Sequence, residues 1–274
     1  MLFQIATLPG QDDRDNEDFA AATSGVLVLL DGAGTPAGLD TGCVHSVAWY
    51  ARTLGGLFLA EATDRTRSLS DALAAAISTT NARHAGTCDL GNSGTPSATV
   101  VVVRLAGESL DYLVLCDSVL IVERAGRAPL VITDGRLERV RDGLDSPEVL
   151  ALLGMDEHAV AVLSEVEKFA RLRNRPGGFW VASTDPAAAR QALTGSIPLA
   201  DVTAIALLSD GATRLADGFG LLGWADVLAV LREDGPGELL RRTRQAEACD
   251  PRGRRWPRGK ASDDATVVYL ALAN

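Results

Sequence analysis

Residues 26–34, VLVLLDGAG, decide the fold. Five apolar residues run into Asp31 and Gly32. A run of this length that ends in glycine is typical of a buried strand, and it predicts that a carboxylate reaches the rim of a sheet. Asp-Gly after a strand is also the usual signature of a turn, so the pair does not establish a site by itself.

Acidic residues recur at other predicted strand ends. Asp210 follows the apolar run AIALLS (204–209), Asp117 follows LVLC (113–116), and Asp263 and Asp264 precede ATVVYL (265–270). Glu17 and Asp18 lie just before the first hairpin, in NED (16–18). Carboxylates brought together from several strand ends suit hard divalent cations such as Mg²⁺ and Mn²⁺, which prefer oxygen ligands. The pattern therefore predicts one shared acidic site. Asp134-Gly135 has the same dipeptide and is interpreted as a turn only.

Composition narrows the class of protein. The chain has 274 residues, of which 47% are apolar, and 26 basic against 36 acidic residues give a formal charge of −10. This balance argues against a nucleic-acid partner. The start, MLFQIATLPG, has no basic segment and no long apolar core, and no run approaches the roughly 18 apolar residues of a membrane span. We expect a cytoplasmic protein with no membrane association.

The cysteines and histidines show no sequence motif. Cys43, Cys88, Cys116 and Cys249 form no CxxC pair and lack zinc-site spacing, so reduced and mostly buried thiols are predicted. His45 and His84 fall on predicted helices and are interpreted as surface or packing residues. No GxSxG or nucleotide-binding glycine motif is present, which disfavours a serine hydrolase and a nucleotide-binding protein.

Periodicity and turn residues predict a single α+β domain, a sheet sandwich with helices outside. A loop rich in charged residues is expected at 134–145, a mainly helical segment at 146–169 and a basic loop at 249–261. Strands are predicted at 2–8, 19–23, 26–30, 97–105, 110–115, 119–124, 129–133, 178–183, 202–208 and 265–272; helices at 41–61, 70–84 with Ser70 as N-cap, 185–191, 224–232 and 237–248.

Six motifs in order resemble those of the type 2C protein phosphatases, the metal-dependent serine/threonine phosphatases. They are NED (16–18), LLDGAG (29–34), SGTPSATVVVV (93–103), CDS (116–118), LLSDG (207–211) and SDDATVV (262–268). The resemblance covers nearly the whole chain. It implies a bacterial-like, atypical member with one domain over 1–274. The expected fold is a four-layer αββα sandwich of two antiparallel β-sheets flanked by helix pairs.

The resemblance also implies roles for individual residues. It predicts two Mn²⁺ or Mg²⁺ ions and a possible third, a metal-activated water as nucleophile, and no phosphoenzyme. The substrate would be phosphoserine or phosphothreonine in a protein phosphorylated by a serine/threonine kinase. The implied metal ligands are Glu17, Asp18, Asp31, the Gly32 carbonyl, Asp117, Asp210 and Asp263, and the implied catalytic residues are Asp31, Asp210 and Arg14.

Departures from the family pattern leave alternatives open. The position of the family's phosphate-binding arginine is Asp13 here, so either Arg14 reaches the phosphate from the next position or the role is lost. Arg258 or Lys260, in RGRRWPRGK (252–260), would compensate by binding substrate, unless this basic run is only a solvated surface. Ala33 replaces a histidine that some members carry. Asp264 replaces an asparagine and would add charge to the site.

Two functions are therefore predicted. The first is a metal-dependent protein serine/threonine phosphatase. The alternative is a catalytically weak or inactive protein of the same fold that acts as a regulatory binding partner.

Overall fold

Two antiparallel five-stranded sheets form the centre of the molecule. The computed structural model describes residues 2–34, 40–144 and 164–272. One sheet has the order β1-β10-β9-β6-β7 and the other β2-β3-β4-β5-β8. The strands are β1 Leu2–Leu8, β2 Phe19–Ala22, β3 Val26–Ala33, β4 Ser97–Ala106, β5 Ser109–Leu115, β6 Val119–Arg124, β7 Leu130–Ile132, β8 Leu193–Pro198, β9 Val202–Leu208 and β10 Ala265–Ala271.

Helices cover the outer faces of both sheets. α1 and α2 pack on the sheet that contains β3, and α6 and α7 pack on the sheet that contains β9. This arrangement is the predicted four-layer αββα sandwich. The helices are α1 Val47–Ala62, α2 Leu69–His84, α3 Arg136–Asp142, α4 Glu165–Leu172, α5 Asp210–Thr213, α6 Trp224–Glu233 and α7 Pro236–Cys249, with 3₁₀ helices at Pro186–Gln191 and Leu199–Asp201.

The central strands have continuous runs of apolar residues because these strands are buried on both faces. In β3, Val28 and Leu30 pack against the helices, whereas Leu27 and Leu29 pack against the opposite sheet. Successive strand residues point to opposite faces, so a strand between two apolar layers needs apolar residues at every position. β9 follows the same rule towards its own helix pair.

Several predicted boundaries are wrong. α1 begins at Val47 with Ser46 as N-cap, and α2 begins at Leu69 with Ser68, not Ser70, as N-cap. Residues 178–183 form no strand and make only isolated bridges such as Ala98 with Ala182. The predicted helix at 185–191 is a 3₁₀ helix, and the missed strand β8 follows it on the edge next to β5.

The prediction that residues 134–145 form a charged loop is also wrong. This segment contains α3. Asp134-Gly135 is the turn before this helix, as predicted: Asp134 is buried, and its Oδ1 accepts the Arg136 backbone N–H at 3.1 Å and the Arg136 Nε at 2.9 Å. The helix predicted at 146–169 lies mostly outside the described residues. Its described end belongs to α4, which Ser164 and Glu167 cap reciprocally. Among the described residues, no helix combines the length and apolarity needed to cross a membrane.

Candidate metal centre

Four aspartates from four separate segments line one cleft of about 410 Å³. Asp31 lies near the end of β3, Asp117 between β5 and β6, Asp210 two residues after β9, and Asp263 just before β10. β3 belongs to one sheet and β9 and β10 to the other. The cleft therefore lies where the two sheets meet at one end of the sandwich, and the prediction of one shared acidic site is supported.

Asp31 and Gly32 do not form a turn. Both remain in the β-ladder, where Asp31 pairs with Thr99 and Gly32 with Ala98. A Cβ atom at position 32 would lie 2.5 Å from the carbonyl oxygen of Glu17, so only glycine fits here. The predicted strand end at Leu30 is therefore three residues too early.

Asp210 and Gly211 do not form a simple turn either. Asp210 is the first residue of α5, and its backbone N–H donates to Asp31 Oδ2 at 3.3 Å. A Cβ at Gly211 would lie 2.0 Å from the carbonyl oxygen of Asp264. The glycine permits close contact between the start of α5 and the segment before β10, which holds Asp210 beside Asp31.

Asp18 lies behind the cleft and is buried. Its Oδ2 accepts a hydrogen bond of 2.9 Å from the Ser209 hydroxyl, and its Oδ1 has no hydrogen-bond partner among the described residues. A buried carboxylate oxygen without a partner carries a free-energy penalty that a cation would relieve. Glu17 is half-buried in the same loop.

Asp264 anchors this loop, and its charge also acts to raise the pKa of Glu17 and of Asp18, so it adds negative charge to the site as predicted. Its two carboxylate oxygens accept hydrogen bonds from the backbone N–H groups of Gly10 and Glu17, each at 2.7 Å. The sequence interpretation missed this role. The position of Asp264 directly before β10 could have indicated it. Because β10 pairs with β1, the residue before β10 lies near the loop that follows β1.

Mutual repulsion and burial disfavour the charged form of the aspartates. The pKa of Asp31 is raised well above its usual value, first by burial and then by the charges of Asp210, Asp18 and Asp117. Burial, followed by Asp117 and Asp263, raises the pKa of Asp210 to about 7. Burial, opposed by hydrogen bonds from Thr266 and Ser209, raises the pKa of Asp18 to about 7.

The residues fit a hard divalent cation. Four aspartates offer carboxylate oxygens to the cleft, Gly32 lines it as well, and Asp18 Oδ1 is buried without a partner among the described residues. Oxygen donors of this kind match the preference of Mg²⁺ and Mn²⁺. Like charges this close raise each other's pKa unless a cation compensates them.

Of the predicted phosphate ligands, the structure brings only Lys260 to the cleft. Its Nζ lies 2.6 Å from Asp263 Oδ1, and its side chain is 58% exposed. Arg258 is a correction: its side chain is 8% exposed and binds Asp250 and the carbonyl of Ala261, so it stabilises its own loop. Arg14 is exposed and is not among the residues that line the cleft, although its charge acts to lower the pKa of Glu17.

The cleft is also lined by two arginines that the sequence interpretation did not identify. Arg141 projects from α3 and is exposed, and its charge acts to lower the pKa of Asp117. Arg173 is held by the carbonyl of Thr95, to which its Nη1 donates at 3.1 Å. The sequence spacing could have identified Arg141. It lies four residues after Leu137, so the two share one helical face, which points towards the cleft.

Cys116 precedes Asp117 in a backbone conformation that glycine normally adopts. Its φ is +68°, in the left-handed region, and its carbonyl accepts the Asp134 N–H at 3.1 Å. A non-glycine residue held in this region stores about 1 kcal/mol or more of strain. The surrounding cluster of buried apolar residues, which includes Val140 and Phe179, holds the turn that presents Asp117.

Solved structures share this fold. A serine/threonine phosphatase of Mycobacterium tuberculosis, PstP/Ppp, is 17% identical over 100% of this chain and 99% of its own, with a TM-score of 0.61. Stp1 of Staphylococcus aureus is 15% identical over 99% and 95%, with a TM-score of 0.60. The catalytic domain of PstP in complex with two manganese ions is 17% identical over 100% and 98%, with a TM-score of 0.59.

No family model matches the sequence. No curated protein matches it at a significant level. The structural likeness shows that the chain has the serine/threonine phosphatase fold, and it confirms the fold that the six motifs predicted.

Proposed function

We propose that this protein is a type 2C phosphatase that hydrolyses phosphoserine and phosphothreonine in a protein substrate, with Mn²⁺ or Mg²⁺ as cofactor. The observation that carries the proposal is the convergence of Asp31, Asp117, Asp210 and Asp263 on one cleft from four distant segments. The likeness to solved serine/threonine phosphatases supports it independently.

Six residues would hold the metal ions, and all of them except Glu17 line the cleft. Asp31, Asp210, Asp263 and the Gly32 carbonyl would hold the central ions, Glu17 would bind from the N-terminal loop, and Asp117 would bind a further ion. When bound, such ions supply an activated water and neutralise charge on the phosphoryl group. Asp18 supports them from behind the cleft, where Ser209 fixes one of its oxygens.

The basic residues at the cleft bind the phosphate. Lys260 and Arg141 both line the cleft and are exposed, so a phosphate dianion can reach them. Arg141 offers the planar fork that binds phosphate in a bidentate manner, which Lys260 cannot do. Ala33 carries no titratable group, so this position takes no part in proton transfer to the leaving group. Arg14 remains a proposed ligand only if the loop before Glu17 turns it towards the cleft.

One observation favours the alternative, a weakly active or inactive regulatory partner. The Lys260 ammonium forms an ion pair with Asp263, a predicted metal ligand, at 2.6 Å. Burial disfavours this ammonium, but its attraction to Asp263, Asp31 and Asp210 outweighs burial and raises its pKa. A lysine in the acidic cluster compensates part of the charge that a metal ion would otherwise neutralise.

The first prediction separates the two functions. Purified protein is assayed for hydrolysis of p-nitrophenyl phosphate and of a phosphothreonine peptide, with and without Mn²⁺. We expect Mn²⁺-stimulated hydrolysis, and a loss of at least about 100-fold in kcat for Asp210→Asn, since removal of a central carboxylate weakens charge stabilisation in the transition state.

Asp201→Asn is the matched control, because Asp201 is exposed and its nearest cation, on Arg127, lies 3.9 Å away. It should retain wild-type activity. Equal activity in wild type and Asp210→Asn, or no stimulation by Mn²⁺, would reject the catalytic proposal and leave the regulatory one.

A further inference from the structure

A second cluster of metal-ligating side chains lies outside the acidic cleft. Cys43, His45, His84 and Cys88 each offer one ligand atom, and these four atoms all lie within 4.8 Å of one another. His84 is buried and the other three residues are half-buried. The prediction that the thiols are mostly buried is wrong, whereas His84 packs inside the fold as predicted, with its ring against Trp49 and Tyr50. Cys116 alone of the four cysteines is buried.

We infer that Cys43, His45, His84 and Cys88 form a structural zinc site, which we call the Cys/His cluster. Two thiolates and two imidazoles are a donor set that Zn²⁺ takes in closed, four-coordinate sites. The carboxylate cleft, by contrast, offers hard oxygen donors. The chain thus has two sites with different donor atoms, one suited to a borderline-soft metal ion and the other to a hard one.

The observed separations are close to those of a tetrahedral site. Cys43 Sγ lies 3.7 Å from His45 Nδ1 and 3.5 Å from His84 Nδ1, and Cys88 Sγ lies 3.4 Å from His45 Nδ1. Ligand bonds of 2.0–2.3 Å give ligand-to-ligand separations of about 3.3–3.8 Å in a tetrahedron. The two sulfur atoms, 3.0 Å apart, would have to separate by less than about 1 Å.

The protein around the cluster orders its ligands. Asp89 N–H donates to the carbonyl of Gly42 at 2.7 Å, and Cys88 N–H donates to the carbonyl of His84 at 3.0 Å, so both ligand loops are fixed by backbone hydrogen bonds. The Trp49 ring stacks on His45 with centroids 3.9 Å apart. These contacts limit the positions that the four ligands adopt.

The ligand nitrogen of His84 is available to a metal ion. Among the described residues, His84 Nδ1 makes no hydrogen bond other than its contact with the Cys43 sulfur, at 3.5 Å. Zinc bound at this nitrogen would replace that weak contact by a coordinate bond.

The position of the cluster gives it a structural role. It joins the loop before α1 to the end of α2, and these helices cover the β3 sheet. Val47, the first residue of α1, is packed so closely on the DGAG segment that a Cβ at Gly34 would lie 2.4 Å from its Cγ2. Zinc would therefore fix the start of α1 beside the segment that carries Asp31.

Cobalt titration tests the site independently of phosphatase activity. We expect the reduced protein to bind one Co²⁺ per chain in the cluster, with a sulfur-to-cobalt charge-transfer band and the strong visible bands of tetrahedral cobalt. Zinc should displace it and remove the bands. The bands should be lost in Cys43→Ser and Cys88→Ser and retained in the controls Cys249→Ser and Cys116→Ala; Cys249 is exposed, and Cys116 lines the cleft.

Cysteine alkylation followed by peptide mass mapping keeps the test decisive if a variant does not fold. In wild type, zinc should protect Cys43 and Cys88 but not Cys249. The proposal is overturned if wild type shows no charge-transfer band, if the band persists in both serine variants, if zinc gives no protection, or if Cys43 and Cys88 are joined by a disulfide in protein kept under reducing conditions.

Discussion

At the residue scale, Asp264 connects the segment before β10 to the loop between β1 and β2 through two hydrogen bonds. It lies just before β10 and accepts the backbone N–H groups of Gly10 and Glu17. Glu17 therefore depends on Asp264 for its position, although Asp264 itself is not among the residues that line the cleft. A carboxylate that accepts two backbone N–H groups forms charge-assisted bonds, which are stronger than neutral ones.

We predict that Asp264→Ala lowers the free energy of unfolding by about 2–3 kcal/mol, because two backbone donors lose a charged acceptor. It should also raise the Mn²⁺ concentration needed for half-maximal activity, since Glu17 is no longer held. Asp264→Asn keeps one acceptor oxygen and should lose about half as much stability. Urea denaturation and Mn²⁺ activation curves measure both effects.

Asp12→Ala is the control for this prediction, because Asp12 is exposed in the same loop. It should change neither quantity. If Asp264→Ala and Asp12→Ala are equally stable, the two hydrogen bonds do not hold the loop.

At the element scale, α1 contains two adjacent glycines with different environments. A Cβ at Gly55 would lie 2.2 Å from Cδ1 of Phe19, so the helix packs directly on β2 at this point. A Cβ at Gly56 would meet nothing within 4 Å. Glycine has a low helix propensity, yet the helix continues through both residues because its buried side chains, such as Leu54 and Phe58, pack in the core.

This pair provides a prediction with an internal control. Gly55→Ala should destabilise the protein by about 1–3 kcal/mol, because the added methyl group overpacks the contact with Phe19. Gly56→Ala should stabilise it by about 0.5–1 kcal/mol, because alanine has the higher helix propensity and reduces the entropy of the unfolded chain. Chemical denaturation of both variants measures the difference, and a shift of the same sign in both would contradict the packing argument.

At the scale of the whole molecule, the acidic cleft links both sheets. β1 pairs with β10 along its whole length, so the two ends of the described chain lie in one sheet, and apolar side chains from both sheets form the core between them. We propose that the chain is a single domain on this basis. The cleft carboxylates come from both sheets, and their repulsion therefore opposes folding of the whole unit.

Stability should consequently depend on pH when divalent cations are absent. Asp18 and Asp210 have pKa values of about 7 in the folded state, against an ordinary value of 3.8. Between about pH 4 and pH 7 the folded state binds more protons than the unfolded state, so stability falls as pH rises through this window. We expect a loss of at least about 1 kcal/mol between pH 5 and pH 7.5.

Urea unfolding of the metal-free protein measures this dependence. Asp210→Asn should weaken it, because asparagine does not titrate, and Mn²⁺ should weaken it by neutralising the ionised carboxylates. Stability that rises with pH over this range would contradict the prediction. A single unfolding transition in the same curves supports the one-domain proposal, and two separate transitions would contradict it.

The sequence by itself determined the sandwich and the acidic residues of the cleft. Apolar runs on central strands report burial on both faces, and an acid at the end of such a run must lie near the rim of the sheet. These are local properties, which is why Asp31, Asp117, Asp210 and Asp263 were identified correctly as members of one cluster. The boundaries of α1 and the existence of β8 and α3 depended on tertiary packing, which local periodicity does not report.

Only the tertiary structure decided which basic residues reach the cleft and which residues form the Cys/His cluster. Arg258 and Lys260 are two positions apart, yet one is held by Asp250 and the other faces Asp263. Cys43 and His84 are 41 positions apart and come together because α1 and α2 pack side by side. Spacing along the chain encodes such proximity only within one element, whereas contact between elements depends on how whole faces pack.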